Sequence, residues 1–456
     1  MTPPKWSETF SSLVHSPEGA DRFEHITSLQ VGPAPEGKYR HWDVLRHLTP
    51  PGDLTHEEWW LGIKLARQHL YQNLEVVDKE GQPFKYAMFD VMLQMLREVD
   101  NKATGSIKGS EMDRYLFSSL VEESITSSQL EGAATTREVA KEMIRSGRSP
   151  RDKSEQMIFN NYQAMQFIRG LGTAKLTPAV ILELQRTLTE NTLNAPEAAG
   201  RLRRSDEPIV IEDEAGKILH SPPKANELEA RMRRMCDFAN GTDTRPFIHP
   251  AVRAILLHYW LAYDHPFVDG NGRTARALFY WSMATQGYWF CGFISISRII
   301  KRGPSGYHRA FLYTEIDDND VTYFILNQLR VVTEAIDALH SHLARKSQAL
   351  TETALLLRSA RILKAALNPR QLALVQHALK HPSYVYTIEA HRISHSVTYE
   401  TARTDLLSLK QEKLLLHRKS GRKFLFIAPP DLKVRAEKLA SDFGKTDKRT
   451  GRRADG

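Results

Sequence analysis

His265-Pro266-Phe267-Val268-Asp269-Gly270-Asn271-Gly272-Arg273-Thr274-Ala275-Arg276 gathers a titratable base, a carboxylate, a glycine-bracketed turn and two permanent cations into one short run. Each residue type answers a need of phosphate chemistry. An imidazole can take up a proton near neutral pH. A carboxylate such as Asp269 can hold a hard cation, Mg²⁺ for instance, that bridges phosphate oxygens. Gly270 and Gly272 allow backbone geometry and close approach that side chains forbid. Arg273 and Arg276, three apart, leave one face of a helical turn, and their guanidinium forks suit phosphate oxygens.

The elements on either side must aim these groups. Ala251 to Asp264 reads as a buried helix, with Ile255, Leu256, Tyr259, Trp260 and Tyr263 at helical spacing. Pro266 removes a backbone donor and pushes His265 out of helical geometry, so the imidazole sits at a rigid helix end. A second helix is expected to start near Arg273 and run through Ala277, Leu278, Tyr280 and Trp281 towards Gly287. Its free first-turn amides and positive dipole end make an anion site.

The complete string His-x-Phe-x-Asp-Gly-Asn-Gly-Arg-x-x-Arg resembles the signature of the Fic-domain family. The resemblance implies a protein adenylyltransferase that takes ATP as substrate with Mg²⁺. In that reading His265 is the general base, with an unperturbed pKa suited to neutral pH, and it takes the proton of a Ser, Thr or Tyr hydroxyl on a target protein. The hydroxyl attacks the α-phosphate, and pyrophosphate leaves. Asp269 binds the metal; Gly270, Asn271 and Gly272 cradle the α- and β-phosphates; Arg273 and Arg276 hold the β- and γ-phosphates. No Gly-x-x-x-x-Gly-Lys-Ser/Thr loop is present, which argues against a P-loop hydrolase.

The likeness extends over roughly residues 155–335. Leu176 to Leu193 reads as a helix entered through Thr177-Pro178. Gly200-Arg201-Leu202-Arg203 follows, and then a hairpin of Ile209-Val210-Ile211 and Ile218-Leu219-His220, where Fic proteins carry a flap beside the active site. Tyr307 to Val331 matches the closing helices. Upstream, Ser127-Ser128-Gln129-Leu130-Glu131-Gly132 matches the family's inhibitory motif. Phe117, Val121 and Ile125 mark an amphipathic helix that Gly132 terminates. Glu131 then stands where the helix dipole disfavours an anion, so a nearby cation would suit it. In the family that cation is the second motif arginine, here Arg276, and Ser127, Glu131 and Gly132 form the regulatory set.

The fold expected is mainly α: a Fic-type helical core with a small β-hairpin flap, plus an α/β winged-helix-like C-terminal domain. The boundaries read as an accessory region over 1–110, the inhibitory helix and core over 111–340, a helical linker over 341–367, the winged-helix-like domain over 368–432 and a basic tail over 433–456. In the accessory region Thr55-His56-Glu57-Glu58 is a capping box opening a helix whose tryptophans suit core packing, and Val76-Val77 and Pro83-Phe84 flank a turn at Gly81. From Asn368 onward there are 18 lysines and arginines against 9 acidic residues, while the whole chain carries +8. Asn368 to Leu379, Tyr386 to Ile393 and Val397 to Leu409 lead into strands Leu414 to His417 and Phe424 to Ile427. A basic tip, Arg418 to Lys423, joins those strands. Localised positive charge on such a layout fits DNA, and it equally fits a protein-docking wing.

Two cysteines, Cys236 and Cys291, are too few for a disulfide framework and point to buried thiols in a reducing cytoplasm. No leader is read at Met1-Thr2-Pro3-Pro4-Lys5, and no apolar run reaches membrane-spanning length, so no membrane is expected. Two other functions stay open: AMP removal at the same site, with Glu131 aligning a water, and a DNA-binding regulator whose Fic core senses nucleotide. Further partners left open are DNA, a second copy of the chain as a homodimer, and the chain itself as target.

Overall fold

Helix α1 (His56–Gln68) opens on the expected capping box: the Thr55 hydroxyl accepts from the Glu58 amide, and the Glu58 carboxylate accepts from the Thr55 amide. It buries Trp59, Trp60 and Ile63 with Ile26, Trp42 and Leu45, so the tryptophans are core residues. Strands β1 (Tyr71–Val77) and β2 (Pro83–Ala87) pair antiparallel around the turn at Gly81. The computed structural model describes residues 1–103, 111–212, 215–241, 246–381, 384–420, 423–436 and 438–439.

The chain divides into two compact units, Met1–His340 and Ser341–Gly456. Residue 110, where a boundary was expected, lies within the first of these units. Lys64 and Arg67 of α1 are fully buried, and a buried cation must find a partner. Lys64 Nζ lies 2.7 Å from Asp317, and Arg67 donates to the Tyr323 hydroxyl at 2.9 Å. Tyr39 and Tyr71 both donate to Asp320. The N-terminal region is thus welded to residues far along the chain.

Within the first unit, α2 (Glu111–Leu130), α3 (Lys153–Leu171), α4 (Pro178–Thr189), α5 (Pro250–Asp264) and α6 (Asn271–Thr285) make the helical core. Helix α4 has Thr177 as its cap and Pro178 in its first turn, as read, but stops at Thr189 short of Leu193. The hairpin forms in shortened form, with β3 (Ile211–Glu212) antiparallel to β4 (Ile218–His220). Helix α7 (Pro304–Ile316) and the start of α8 (Thr322–Ala366) close this unit.

Helix α2 is not amphipathic in the expected sense. Phe117, Val121 and Ile125 do form its apolar spine, yet every residue from Ser119 to Ser128 is buried, Glu122 and Glu123 included. Packing by α3 and by the Ile296–Arg302 helix leaves no solvated face between Ser119 and Ser128. The buried carboxylate of Glu123 is satisfied by the Ser295 and Ser297 hydroxyls and the Ser297 amide.

The second unit holds α9 (Pro369–Lys380), β5 (Val385–Thr387), α10 (Ile388–His395), α11 (Tyr399–Gln411), β6 (Leu416–Ser420) and β7 (Lys423–Ile427). The sheet is antiparallel, in the order β5-β7-β6. Val375, Ile388, Leu406, Leu409 and Phe426 share its core. Leu414 and Leu415 are buried in that core ahead of β6, which begins two residues later than expected. Leu432 and Ala436 join the same core, so packing continues past the boundary placed at 433. Gly421 and Arg422 of the basic tip, and the tail from residue 440, lie outside the described residues. Among the described residues no helix is long and apolar enough to cross a membrane.

Candidate active site

Helix α5 ends where Pro266 requires it. His265 caps it with φ 44° and ψ 56°, its amide still donating to Leu261 O at 3.0 Å. The turn after it is closed by Asn271, whose side chain accepts from the Phe267 amide (2.9 Å) and donates to the Phe267 carbonyl (2.8 Å). An asparagine there replaces two strand-like backbone bonds, which explains its place in the loop. Gly270, at φ 86°, caps α6, and a Cβ there would lie 2.9 Å from Thr189 Cγ2. This cap starts α6 at Asn271, two residues before the expected start.

The His265 ring is held as well as placed. Its Nδ1 lies 3.3 Å from Ala262 O, which can only accept, so Nδ1 carries the hydrogen and Nε2 keeps the lone pair. Burial pushes the imidazole down to about 4, with the nearby His220 and Arg203 adding to the effect. The unperturbed pKa expected from the sequence is not met. The ring is neutral throughout the physiological range, ready to accept a proton but a weaker base than free histidine.

A cavity of about 500 Å³ brings together His265, Gly272, Arg276, Glu131, His220 and Tyr307. Arg276 donates to Glu131 Oε1 at 2.8 Å, to Ser127 Oγ at 2.9 Å and to Ser127 O at 3.0 Å. Burial is the largest single influence and would lower its pKa; the charge and hydrogen bond of Glu131, with Tyr307 and Glu123, together outweigh it and raise the value. Gly132 ends the turn at φ 91°, as read. The Glu131 carboxylate lies over the mouth of α6: a Cβ on Gly272 would stand 3.0 Å from Glu131 Cδ and collide with its Oε1. An anion therefore already fills the place the helix end offers to one.

The two arginines do not share one anion. Arg273 turns to α4, donating to Leu188 O at 2.9 Å and pairing with Asp269 Oδ1 at 3.1 Å. Asp269 Oδ1 also accepts from the Gly270 amide, and the carboxylate stays 41% exposed. Among the described residues no cluster of three or more His, Cys, Asp or Glu could hold a metal unaided. A single accessible carboxylate still fits Mg²⁺, which keeps several waters and takes its other ligands from substrate phosphates.

Residues 175–283 match the model of the Fic/DOC family. That match takes in about a quarter of the chain. A protein adenylyltransferase Fic of Nematostella vectensis is 38% identical over 98 residues, which are 22% of this chain and 20% of that protein. One from Drosophila sechellia is 26% identical over 289 residues, 59% of this chain and 54% of that protein. The chain thus spans between a fifth and about half the length of these relatives. A solved Fic family protein from Desulfovibrio desulfuricans G20 aligns over 75% of this chain and 97% of its own, at 15% identity and a TM-score of 0.48. The matched segment contains the motif loop and the flap; Ser127 and Glu131 lie outside it.

Sequence reading missed several residues that shape this site. Arg203 grips the loop: its Nε donates to His265 O, its amide to Pro266 O, both at 2.9 Å, and its guanidinium also reaches Pro223 O. The only advance signal was its place in the Gly-Arg-Leu-Arg run. His220 pins β4 down, with Nδ1 2.9 Å from Glu315 Oε2 and Nε2 2.7 Å from Tyr263 O. The Tyr307 hydroxyl meets His258 Nε2 at 2.9 Å. Nothing one-dimensional marks these last pairings.

Burial has a consequence for acid stability. It lowers His265 and His41 to about 4 and His258 to about 3. Between the ordinary histidine value near 6.5 and those values the unfolded chain binds more protons than the folded one. Stability is therefore full above pH 6.5 and lost as pH falls towards 4. Thermal unfolding should show Tm dropping by on the order of 10 °C between pH 7 and pH 5. A flat Tm across that interval would contradict the burial of these rings.

Proposed function

We propose that the chain is a protein adenylyltransferase, moving AMP from ATP to a hydroxyl side chain of a protein and restrained by Glu131. One observation carries this reading: His265, Gly272 at the mouth of α6, Arg276 and the Glu131 carboxylate line a single cavity. The relatives' names support it.

In this mechanism the target hydroxyl gives its proton to His265 Nε2 while its oxygen bonds to the α-phosphorus. The bond from that phosphorus to the oxygen bridging to the β-phosphate breaks, and pyrophosphate leaves with the electron pair. The amides at Asn271 and Gly272 hold the α- and β-phosphate oxygens, and Arg276 takes the terminal phosphate once Glu131 releases it. Mg²⁺ on Asp269, when bound, neutralises phosphate charge; Arg273 fixes that carboxylate. Hairpin β3–β4 offers an edge for an extended target segment. The test is transfer of label from α-labelled ATP to protein by wild type, Glu131→Gly and His265→Ala. Label appears with Glu131→Gly and disappears with His265→Ala. No label on any protein with Glu131→Gly, itself included, sinks the reading.

A second activity is proposed for residues 368–439. Helices α10 and α11 meet through a three-residue turn containing Ser396 at φ 51°, and α11 exposes Tyr399, Arg403 and Thr404 ahead of the basic β6–β7 hairpin. This arrangement supports a winged-helix reading, in which α11 would enter a DNA major groove. Binding to duplex DNA should weaken steeply with salt, and Arg403→Glu with Arg418→Glu should lower it at least about tenfold. Affinity independent of salt would instead favour a protein-docking wing.

A further inference from the structure

Helix α7 has two working faces. Tyr307, Phe311 and Glu315 line the Fic cavity. Gly306, Arg309, Ala310 and Tyr313, at the intervening helical positions, line a second cavity of about 480 Å³. Its other walls come from residues 37–44, from Val91 and Met95 of the Asp90–Ala103 helix, and from Tyr323 to Arg330 of α8. This volume lies within the range of small-molecule sites.

Its chemistry is specific. Tyr39, His41, Tyr313 and Tyr323 give it aromatic walls, with the Tyr313 ring stacked on His41 at 4.0 Å. Val44, Met95 and Leu326 add apolar surface, and Val44 is 43% exposed. Three cations, Lys38, Arg309 and Arg330, stand around it without an ion-pair partner among the described residues, whereas the lining Arg40 is paired with Glu36. A donor is also left over. His41 Nδ1 accepts from the Asp43 amide at 3.1 Å, so the ring hydrogen sits on Nε2, which is buried with no acceptor. Buried donors normally find partners, and His41 is among the residues lining this cavity.

We propose that this cavity is a second ligand site, for a small planar anion (a ring bearing a phosphate or a carboxylate), coupled to the Fic cavity through α7. The ring packs among the tyrosines and the anionic group meets Arg309 and Arg330. A ligand pressed against one face of α7 shifts Tyr307 and Phe311 on the other, so it changes the affinity of the Fic cavity for nucleotide. By linkage the effect is reciprocal. The coupling rests on the Fic cavity taking ATP; the site itself does not.

The test uses the full chain and two probes, AMP and indole-3-acetate, which separate a phosphate from a carboxylate source. Each is titrated calorimetrically into wild type and into Arg309→Glu/Arg330→Glu, whose altered residues are solvent-exposed. The expected result is binding of at least one probe that weakens about tenfold or more in the double variant. AMP held in the Fic cavity would persist in that variant and so be told apart. Failure of both probes to bind, or binding equal in both proteins, overturns the site. Coupling is read as a change of at least twofold in ATP affinity of Glu131→Gly when the probe is saturating, abolished when the arginines are reversed. An unchanged ATP affinity overturns the coupling and leaves the site. No ATP binding at all overturns the adenylyltransferase reading while the probe titration still decides the site.

Discussion

Glu131→Gly is expected to raise AMP transfer and ATP affinity by about ten- to a hundredfold. The carboxylate occupies the mouth of α6 and holds Arg276 at 2.8 Å. A triphosphate must displace it to reach the same guanidinium. Separating a largely buried charge-assisted pair costs about 1.5–3 kcal/mol, which sets the size of the gain. The same substitution removes the partner of a cation only 3% exposed, although Arg276 keeps its bonds to Ser127. Tm should therefore fall while activity rises. Glu131→Gln, which can still bond Arg276 without a charge, should lie between the two. Equal rates for wild type and Glu131→Gly at saturating Mg·ATP, with equal ATP affinity, would remove Glu131 from regulation.

His265→Ala in the Glu131→Gly background should lower transfer by about 10²–10⁴-fold, the usual span for loss of a general base, with ATP affinity nearly unchanged. The position adopts φ 44°, where alanine is strained and asparagine is tolerated. His265→Asn therefore separates lost chemistry from lost geometry, and both variants should be equally inactive. The buried imidazole, at about 4, places the acid limb of kcat/KM for the free enzyme well below 6.5. A variant retaining transfer within about threefold would show that the proton leaves by another route.

The loop itself was readable because its constraints are local. Proline stops α5, glycine caps α6, and both effects act within a few residues. The helix end said only that Glu131 wants a cation; the family resemblance named Arg276 as that cation, and the structure pairs the two. The depressed His265 was not readable, because its burial depends on the flap, on α7 and on Arg203, none of them neighbours in sequence. Periodicity alone could not show that α2 is enclosed from Ser119 to Ser128; a polar residue reads as solvent-facing until its buried partners, such as Ser295 and Ser297 for Glu123, are known. The split of Arg273 from Arg276 was hidden for a related reason. Spacing sets the direction in which a side chain leaves a helix, while α4 and α2 decide where each guanidinium ends.

Because α2 is enclosed, it cannot swing aside without exposing Glu123 and its hydroxyl cage. Glu131, just beyond the last turn and 29% exposed, has room to turn. Freeing the arginine thus needs a rotation about side-chain bonds, a nanosecond event, and no melting of a helix. Under the proposed restraint by Glu131, a regulator has only to compete for one guanidinium, so output should vary smoothly with the competitor's concentration, as a dimmer does, without a threshold.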